Sequence, residues 1–236
     1  ESDNMAIFGV TQALQGPSLQ GPTRTVLVGD VPQEGKDAGS ENKQFGRFHI
    51  ITSKIEHHAV LNPCEELEKR GFDVTYLNVS KDGIIDLKEF KKSLRKDTIL
   101  VSIMYANNEI GTIQPIKEIA KIIRDFKQAN SGAAGPLFHT DAIQAAGYLD
   151  MSVQKLGVDL MSINGSKIYG PKGAGFLYIR RGVKILPIIY GGGQERGLRP
   201  GTENMAGIAG LAKALEIAQS ASREEELKRL SALRDY

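Results

Sequence analysis

The sequence has one cysteine, no tryptophan and almost no net charge, and two of these shortages close off a class of protein. A lone thiol, Cys64, cannot build an internal disulfide framework, so the chain relies on a packed core and suits a reducing, cytoplasmic compartment. The 30 Lys and Arg against 28 Asp and Glu leave +2, too even a balance for the basic surface of a nucleic-acid binder. No nucleic-acid partner is expected. No apolar run approaches the roughly 20 residues of a membrane-spanning helix, and no charged start followed by an apolar stretch marks a signal peptide. Neither a membrane partner nor a metal site is expected. No methionine opens the chain, because Glu1-Ser2-Asp3-Asn4 runs directly into helical spacing, and the sequence therefore reads as a fragment.

What is present is ordinary for a folded domain. With 236 residues, 41% hydrophobic and 25% charged, the chain can bury a substantial core, and 26 glycines point to many tight turns.

Helical spacing runs over 2–14, with Ser2 or Asp3 placed to cap the first free amides. Residues 15–46 are rich in Gly, Pro, Ser, Gln and Lys around one apolar island, Val26-Leu27-Val28, and are expected to be a long surface loop, an insertion without chemistry. Beyond it, apolar runs predict strands at 48–52, 74–79, 98–104, 137–139, 160–163, 175–179 and 185–189. Helical spacing predicts helices at 60–69, after the Asp86/Glu89 capping box, after Pro115, and over 204–221 with a charged continuation to Tyr236. Strands alternating with helices predict an α/β fold, with ligands at the carboxyl ends of a mainly parallel sheet.

Two strand ends carry candidate chemistry. Ser162-Ile163-Asn164-Gly165-Ser166-Lys167 ends an apolar run in a polar turn, followed by Ile168-Tyr169-Gly170-Pro171-Lys172-Gly173. Lys167 is the candidate nucleophile, since a lysine amine forms a Schiff base with an aldehyde. Taken alone, this stretch fits a solvated loop lysine as well. In His139-Thr140-Asp141-Ala142-Ile143-Gln144 the carboxylate of Asp141 follows an apolar run, with Gln144 one helical turn later. Such a carboxylate can hold a pyridinium nitrogen protonated, or simply cap a helix. His139 reads as a packed histidine.

Further runs complete a pattern. Ile50-Ile51-Thr52-Ser53-Lys54-Ile55-Glu56-His57-His58-Ala59-Val60, Val101-Ser102-Ile103-Met104-Tyr105-Ala106-Asn107-Asn108-Glu109-Ile110-Gly111 and Gly191-Gly192-Gly193-Gln194-Glu195-Arg196-Gly197-Leu198-Arg199-Pro200-Gly201-Thr202 join the two segments above. Together, and in this order, they resemble the motifs of cysteine desulfurases in the class V aminotransferase group. The resemblance implies the large domain of the pyridoxal 5'-phosphate (PLP) dependent fold type I transferases, a three-layer α-β-α unit over 1–203, with 204–236 leading toward a second, smaller domain. It implies that Lys167 holds PLP covalently, Asp141 pairs with the pyridine nitrogen and Gln144 bonds the phenolic oxygen. His57 would stack on the ring and move protons, Asn108 would lie against the ring or the substrate carboxylate, and Thr202 would reach the phosphate of a partner subunit in a homodimer. A helix start at His57, a turn residue at Asn108 and a helix cap at Thr202 are the plainer readings of those positions.

Two departures stand out. Asn164 and Ser166 occupy positions where the family commonly has serine and histidine, and both keep groups able to bond a phosphate oxygen. Residues 129–135 also look inserted. A family threonine expected ahead of Glu1, the catalytic cysteine expected beyond Tyr236 and an arginine for the substrate carboxylate have no counterpart in the 236 residues. Cys64, on an apolar helical stripe, reads as structural.

The activity implied is conversion of L-cysteine to L-alanine with transfer of sulfur to an enzyme cysteine, feeding iron-sulfur or thio-cofactor assembly through a sulfur-acceptor scaffold protein. The 236 residues alone are expected to lack turnover. Selenocysteine lyase, another class V aminotransferase-like enzyme, and a non-catalytic scaffold that retains the fold stand as alternatives.

Overall fold

In the computed structural model the described residues are 1–15, 48–130 and 135–236. The insertion expected at 15–46 falls outside them except for residue 15, and of the one expected at 129–135 residues 131–134 fall outside, while Ala129 and Asn130 close α4. The elements run α1 (Ser2–Gln15), β1 (His49–Ser53), α2 (His58–Lys69), β2 (Asp73–Leu77), α3 (Leu87–Ser93), β3 (Thr98–Ser102), α4 (Ile116–Ala129), β4 (Leu137–Asp141), α5 (Val153–Leu156), β5 (Leu160–Asn164), β6 (Gly175–Ile179), α6 (Met205–Ala218) and α7 (Arg223–Asp235). The strands form one six-stranded sheet in the order β2-β1-β3-β4-β5-β6. Strands β1 to β5 pair in parallel, and β6 joins the edge antiparallel to β5.

The central strands are buried on both faces, which is why they read as mainly apolar runs, with His139 and Ser162 among their buried polar residues. Alternate side chains divide between two cores. Ile51, Val101 and Met161 pack with Phe90 of α3, Ile119 and Ile123 of α4 and Leu211 of α6. Their neighbours Ile50, Leu100 and Leu160 pack on the opposite face with Ile7 and Val10 of α1 and Val60, Cys64 and Leu67 of α2. The result is the three-layer α/β arrangement that the sequence pattern predicts.

One predicted strand is absent. Residues 185–189 form no strand, because Pro187 has no amide to donate and the Leu186 amide donates to Gly9 O of α1 at 3.0 Å. Ile185 is buried beside α1 instead of extending the sheet. The capping expectation at the start of the chain also changes: Asp3 lies inside the first turn of α1 and is buried. Asp86 does cap α3, accepting from the Lys88 amide at 2.7 Å. No helix among the described residues is long and apolar enough to cross a membrane.

Candidate active site

Parallel strands deliver their carboxyl ends to one edge, and the segments carrying the candidate residues leave from four neighbours in the sheet. His57 follows β1, Asn108 follows β3, Asp141 closes β4, Asn164 closes β5, and Ser166 and Lys167 follow it. Asp141 stands opposite Ser162 in the β4–β5 register, so Lys167 lies on the turn leaving the strand next to it.

That turn, Gly165–Ile168, is a short 3-10 helix. Asn164 starts it, its Oδ1 accepting from the Ser166 amide and hydroxyl, both at 3.0 Å. A Cβ on Gly165 would stand 3.1 Å from Ala174 O and 3.2 Å from Pro171 O, so the close return of the glycine-rich segment requires glycine there. Lys167 and Ser166 are exposed, and Lys167 makes no hydrogen bond or ion pair among the described residues. Tyr169, with φ 60, ends the turn in the left-handed region and is 99% exposed.

His57 is the N-cap of α2, its Nδ1 accepting from the Ala59 amide at 3.1 Å. That bond assigns the ring hydrogen of the neutral imidazole to Nε2. The plainer reading of His57 as a helix-start residue therefore holds together with its place in a cleft of about 300 Å³, which His57 lines with Lys54, Glu56, His58, Asn108 and Glu109. The cleft does not take in Asp141, Gln144 or Lys167. A larger cavity of about 680 Å³, bounded by residues 179–186, Arg196 and Leu198, holds no candidate residue.

Asp141 is buried, with its Oδ1 accepting from the Ile143 amide at 2.9 Å. Burial raises its carboxyl above the ordinary value, Asp3 raises it further, and the Ile143 bond opposes both. No Lys or Arg pairs with it among the described residues. Gln144 is half-buried and sits in successive turns over 142–149 rather than in a regular helix. Thr202 is exposed and lies outside the cleft; Asn204, not Thr202, caps α6, accepting from the Gly207 amide at 3.0 Å.

Nothing in the sequence marks three polar residues as buried, Asp3 having the spacing of a helix cap. Glu56 and Asn107 immediately precede the exposed His57 and Asn108, and Asp3 lies on α1 beside His139; all three are buried. His139 bridges three strands, its Nδ1 2.8 Å from Ser102 Oγ and its Nε2 3.0 Å from Ser162 Oγ. Burial pushes its imidazole down to about 4, so its 3.6 Å approach to Asp3 is a neutral contact and not an ion pair. The spacing Ser53-x-x-Glu56 was the available signal for Glu56, but that pattern ordinarily marks a helix start.

Cys64 is fully buried on α2, and burial, then Glu56, pushes its thiol up to about 12. A thiol that stays protonated is a poor nucleophile. The native chain is expected to resist a thiol-reactive chromophore until urea unfolds it; immediate labelling of the folded chain would count against a structural role. Among the described residues no group of three or more His, Cys, Asp or Glu is placed to hold a metal ion.

An open, mostly parallel sheet with a lysine turn and a buried, uncompensated carboxyl at its carboxyl edge defines an α/β protein whose candidate residues gather where such sheets usually bind ligands. The aminotransferase class-V family model matches residues 40–236, and the chain belongs to that family. The cysteine desulfurase IscS of Dictyoglomus turgidum is 50% identical over 236 residues, covering 100% of this chain and 50% of its own length. The cysteine desulfurase IscS of Methanosarcina thermophila is 54% identical over 194 residues, 82% of this chain and 46% of its own length. Among solved structures, a NifS-like protein has a TM-score of 0.75 at 46% identity, covering 81% of this chain and 51% of that one. SspA, solved in complex with cysteine, has a TM-score of 0.75 at 34% identity, covering 100% of this chain and 58% of that one. The chain spans about half the length of the curated relatives it matches.

Proposed function

We propose that residues 1–236 are the PLP-binding core of a cysteine desulfurase, a cytoplasmic homodimer that converts L-cysteine to L-alanine and passes the sulfur to a thiol, and onward to an acceptor scaffold protein. The observation that carries this reading is Asp141: a buried carboxyl at a strand end, with no cationic partner among the described residues, next to the strand whose exit turn presents Lys167. A buried charge without a counter-ion is costly, and the pyridinium N–H of PLP is a group that would supply the missing one. The residues therefore fit the cofactor.

When bound, PLP supplies a reversible carbon–nitrogen bond and an electron sink. Lys167 would hold it covalently, and Asp141 would hold a proton at the ring nitrogen. Gln144 would donate to the phenolic oxygen. His57 would cover the ring and exchange a proton through Nε2, the atom its capping bond leaves free. Asn108, across the same cleft, would orient the ring or the substrate carboxylate. Asn164 and Ser166, on the polar turn, would bond the phosphate, and Thr202, exposed beyond it, would reach the phosphate of the partner. We read 1–203 as the cofactor-binding unit and 204–236 as the helices leading toward a second domain.

In the overall reaction the carbon–sulfur bond of L-cysteine breaks, the acceptor thiol becomes a persulfide, and alanine leaves with the hydrogen. The acceptor thiol is not Cys64, whose burial and protonation make it unreactive. The test is a cofactor titration of the chain. PLP is expected to give a protein-bound absorption band distinct from that of the free aldehyde, and L-cysteine to perturb it; no spectral change on adding PLP would overturn the reading.

A further inference from the structure

The turn between β1 and α2 is held from beneath. Three residues after Ser53 closes β1, the Glu56 carboxyl folds back so that its Oε1 accepts from Ser53 Oγ at 2.6 Å and from the Met104 amide at 3.0 Å. Met104 lies just past β3, so one oxygen ties the exits of two paired strands. A second tie runs beside it: Asn107 Nδ2 donates to Ile55 O at 2.7 Å, and Asn107 Oδ1 accepts from the Glu109 and Ile110 amides at 2.8 and 2.9 Å. Glu56 and Asn107 are buried, while the residue after each, His57 and Asn108, is exposed and lines the cleft.

The other oxygen, Glu56 Oε2, is buried and has no hydrogen-bond partner among the described residues. The charged groups acting on it are Asp141 at the end of β4 and Asp3 on α1, both acidic, and Cys64 on α2 responds to Glu56 in turn. Lys54, His57 and His58, on its own turn, make no ion pair with it, and Lys54 and both histidines are exposed. An ionised carboxyl there would have neither a counter-ion nor a bond at Oε2, and a proton removes that cost.

We propose that Glu56 is a positioning residue that works as a neutral acid: Oε1 fixes the His57 and Asn108 loops relative to each other, and the buried Oε2, without a partner among the described residues, carries a proton. The consequence for the cleft rests on the function proposed above; the protonation does not. Burial pushes the Glu56 carboxyl from 4.5 up to about 8, against the bonds from Ser53 and Met104. Folding therefore takes up a proton, and the stability this confers is complete below 4.5 and lost as pH rises through about 8.

The variants Glu56→Gln and Glu56→Asp separate the possibilities. Glutamine keeps the acceptor oxygen and is neutral at every pH; aspartate keeps the acid but is one methylene short. At about pH 6 the wild-type chain is expected to show infrared absorption from two buried protonated acids, Glu56 and Asp141; Glu56→Gln loses the Glu56 share and keeps that of Asp141, and its stability declines less with rising pH than that of the wild type. The His57 ring resonances are expected to stay in place in Glu56→Gln and to shift in Glu56→Asp, which binds PLP at least about tenfold more weakly. An unchanged acid band in Glu56→Gln, or His57 displaced equally in both variants, would overturn the proposal. A wild-type chain that shows the acid band and the His57 pattern yet binds no PLP would instead overturn the proposed function and leave Glu56 as the organiser of this edge.

Discussion

Lys167→Ala is expected to abolish borohydride-stable labelling of the chain by PLP, while leaving the unfolding transition within about 0.5 kcal/mol of wild type. The two halves of that expectation have separate causes. Lys167 is exposed on the Gly165–Ile168 turn and makes no hydrogen bond or ion pair among the described residues, so truncating it removes no contact from the fold. The turn itself is held by Asn164, by the Gly170 amide donating to Gly165 O at 2.9 Å, and by the packing of Ile168, none of which uses the lysine side chain. Covalent attachment, by contrast, needs one particular amine within reach of the aldehyde. Exposed lysines elsewhere, such as Lys172 four residues beyond the turn's end, label at random and at low yield. Peptide mapping of the reduced adduct checks the site, and labelling that persists at wild-type yield in Lys167→Ala would refute the assignment.

The candidate edge was legible in the sequence because each of its segments follows an apolar run. Strands β1, β3, β4 and β5 are buried along nearly their whole length, so Asp141 and the Lys167 turn stand out just past mainly apolar runs, whereas His57 and Asn108 come from the family resemblance. Reading strands from apolar runs fails where a run is buried by something other than the sheet. Residues 185–189 look like a strand, yet Ile185 is buried against α1, and no local period reveals which surface covers a run. Asp141 is singled out in the sequence, but its association with other buried carboxyls is illegible for a related reason. Asp3, Glu56 and Asp141 come from three distant parts of the chain, and what unites them is the direction each side chain takes in space. Asp3 offered the spacing of a helix cap and turned out to sit beside His139 within the first turn. Elements as short as α5, four residues closed by Gly157 at φ 73, hold too few positions for a period to show.

Asp141→Asn is expected to move stability and cofactor affinity in opposite directions. Burial, with Asp3 adding, raises the Asp141 carboxyl from its ordinary 3.8, so the folded chain binds a proton there that the unfolded chain releases. The stability from that proton is complete below 3.8 and declines as pH rises through the raised value. Asparagine keeps an oxygen for the Ile143 amide and carries no charge, so the PLP-free variant is expected to be more stable than wild type by about 1–2 kcal/mol at about pH 8, with the gap closing toward about pH 4. Bound PLP reverses the ranking, because a neutral amide cannot compensate a pyridinium: affinity is expected to fall about a hundredfold, roughly 3 kcal/mol, with an altered absorption band. Urea unfolding across pH and a PLP titration measure the two effects separately. A site that holds an uncompensated carboxyl at the expense of its own folding is one selected for a cationic ligand, and an Asn variant that gained no stability at alkaline pH, or bound PLP like wild type, would remove Asp141 from that role.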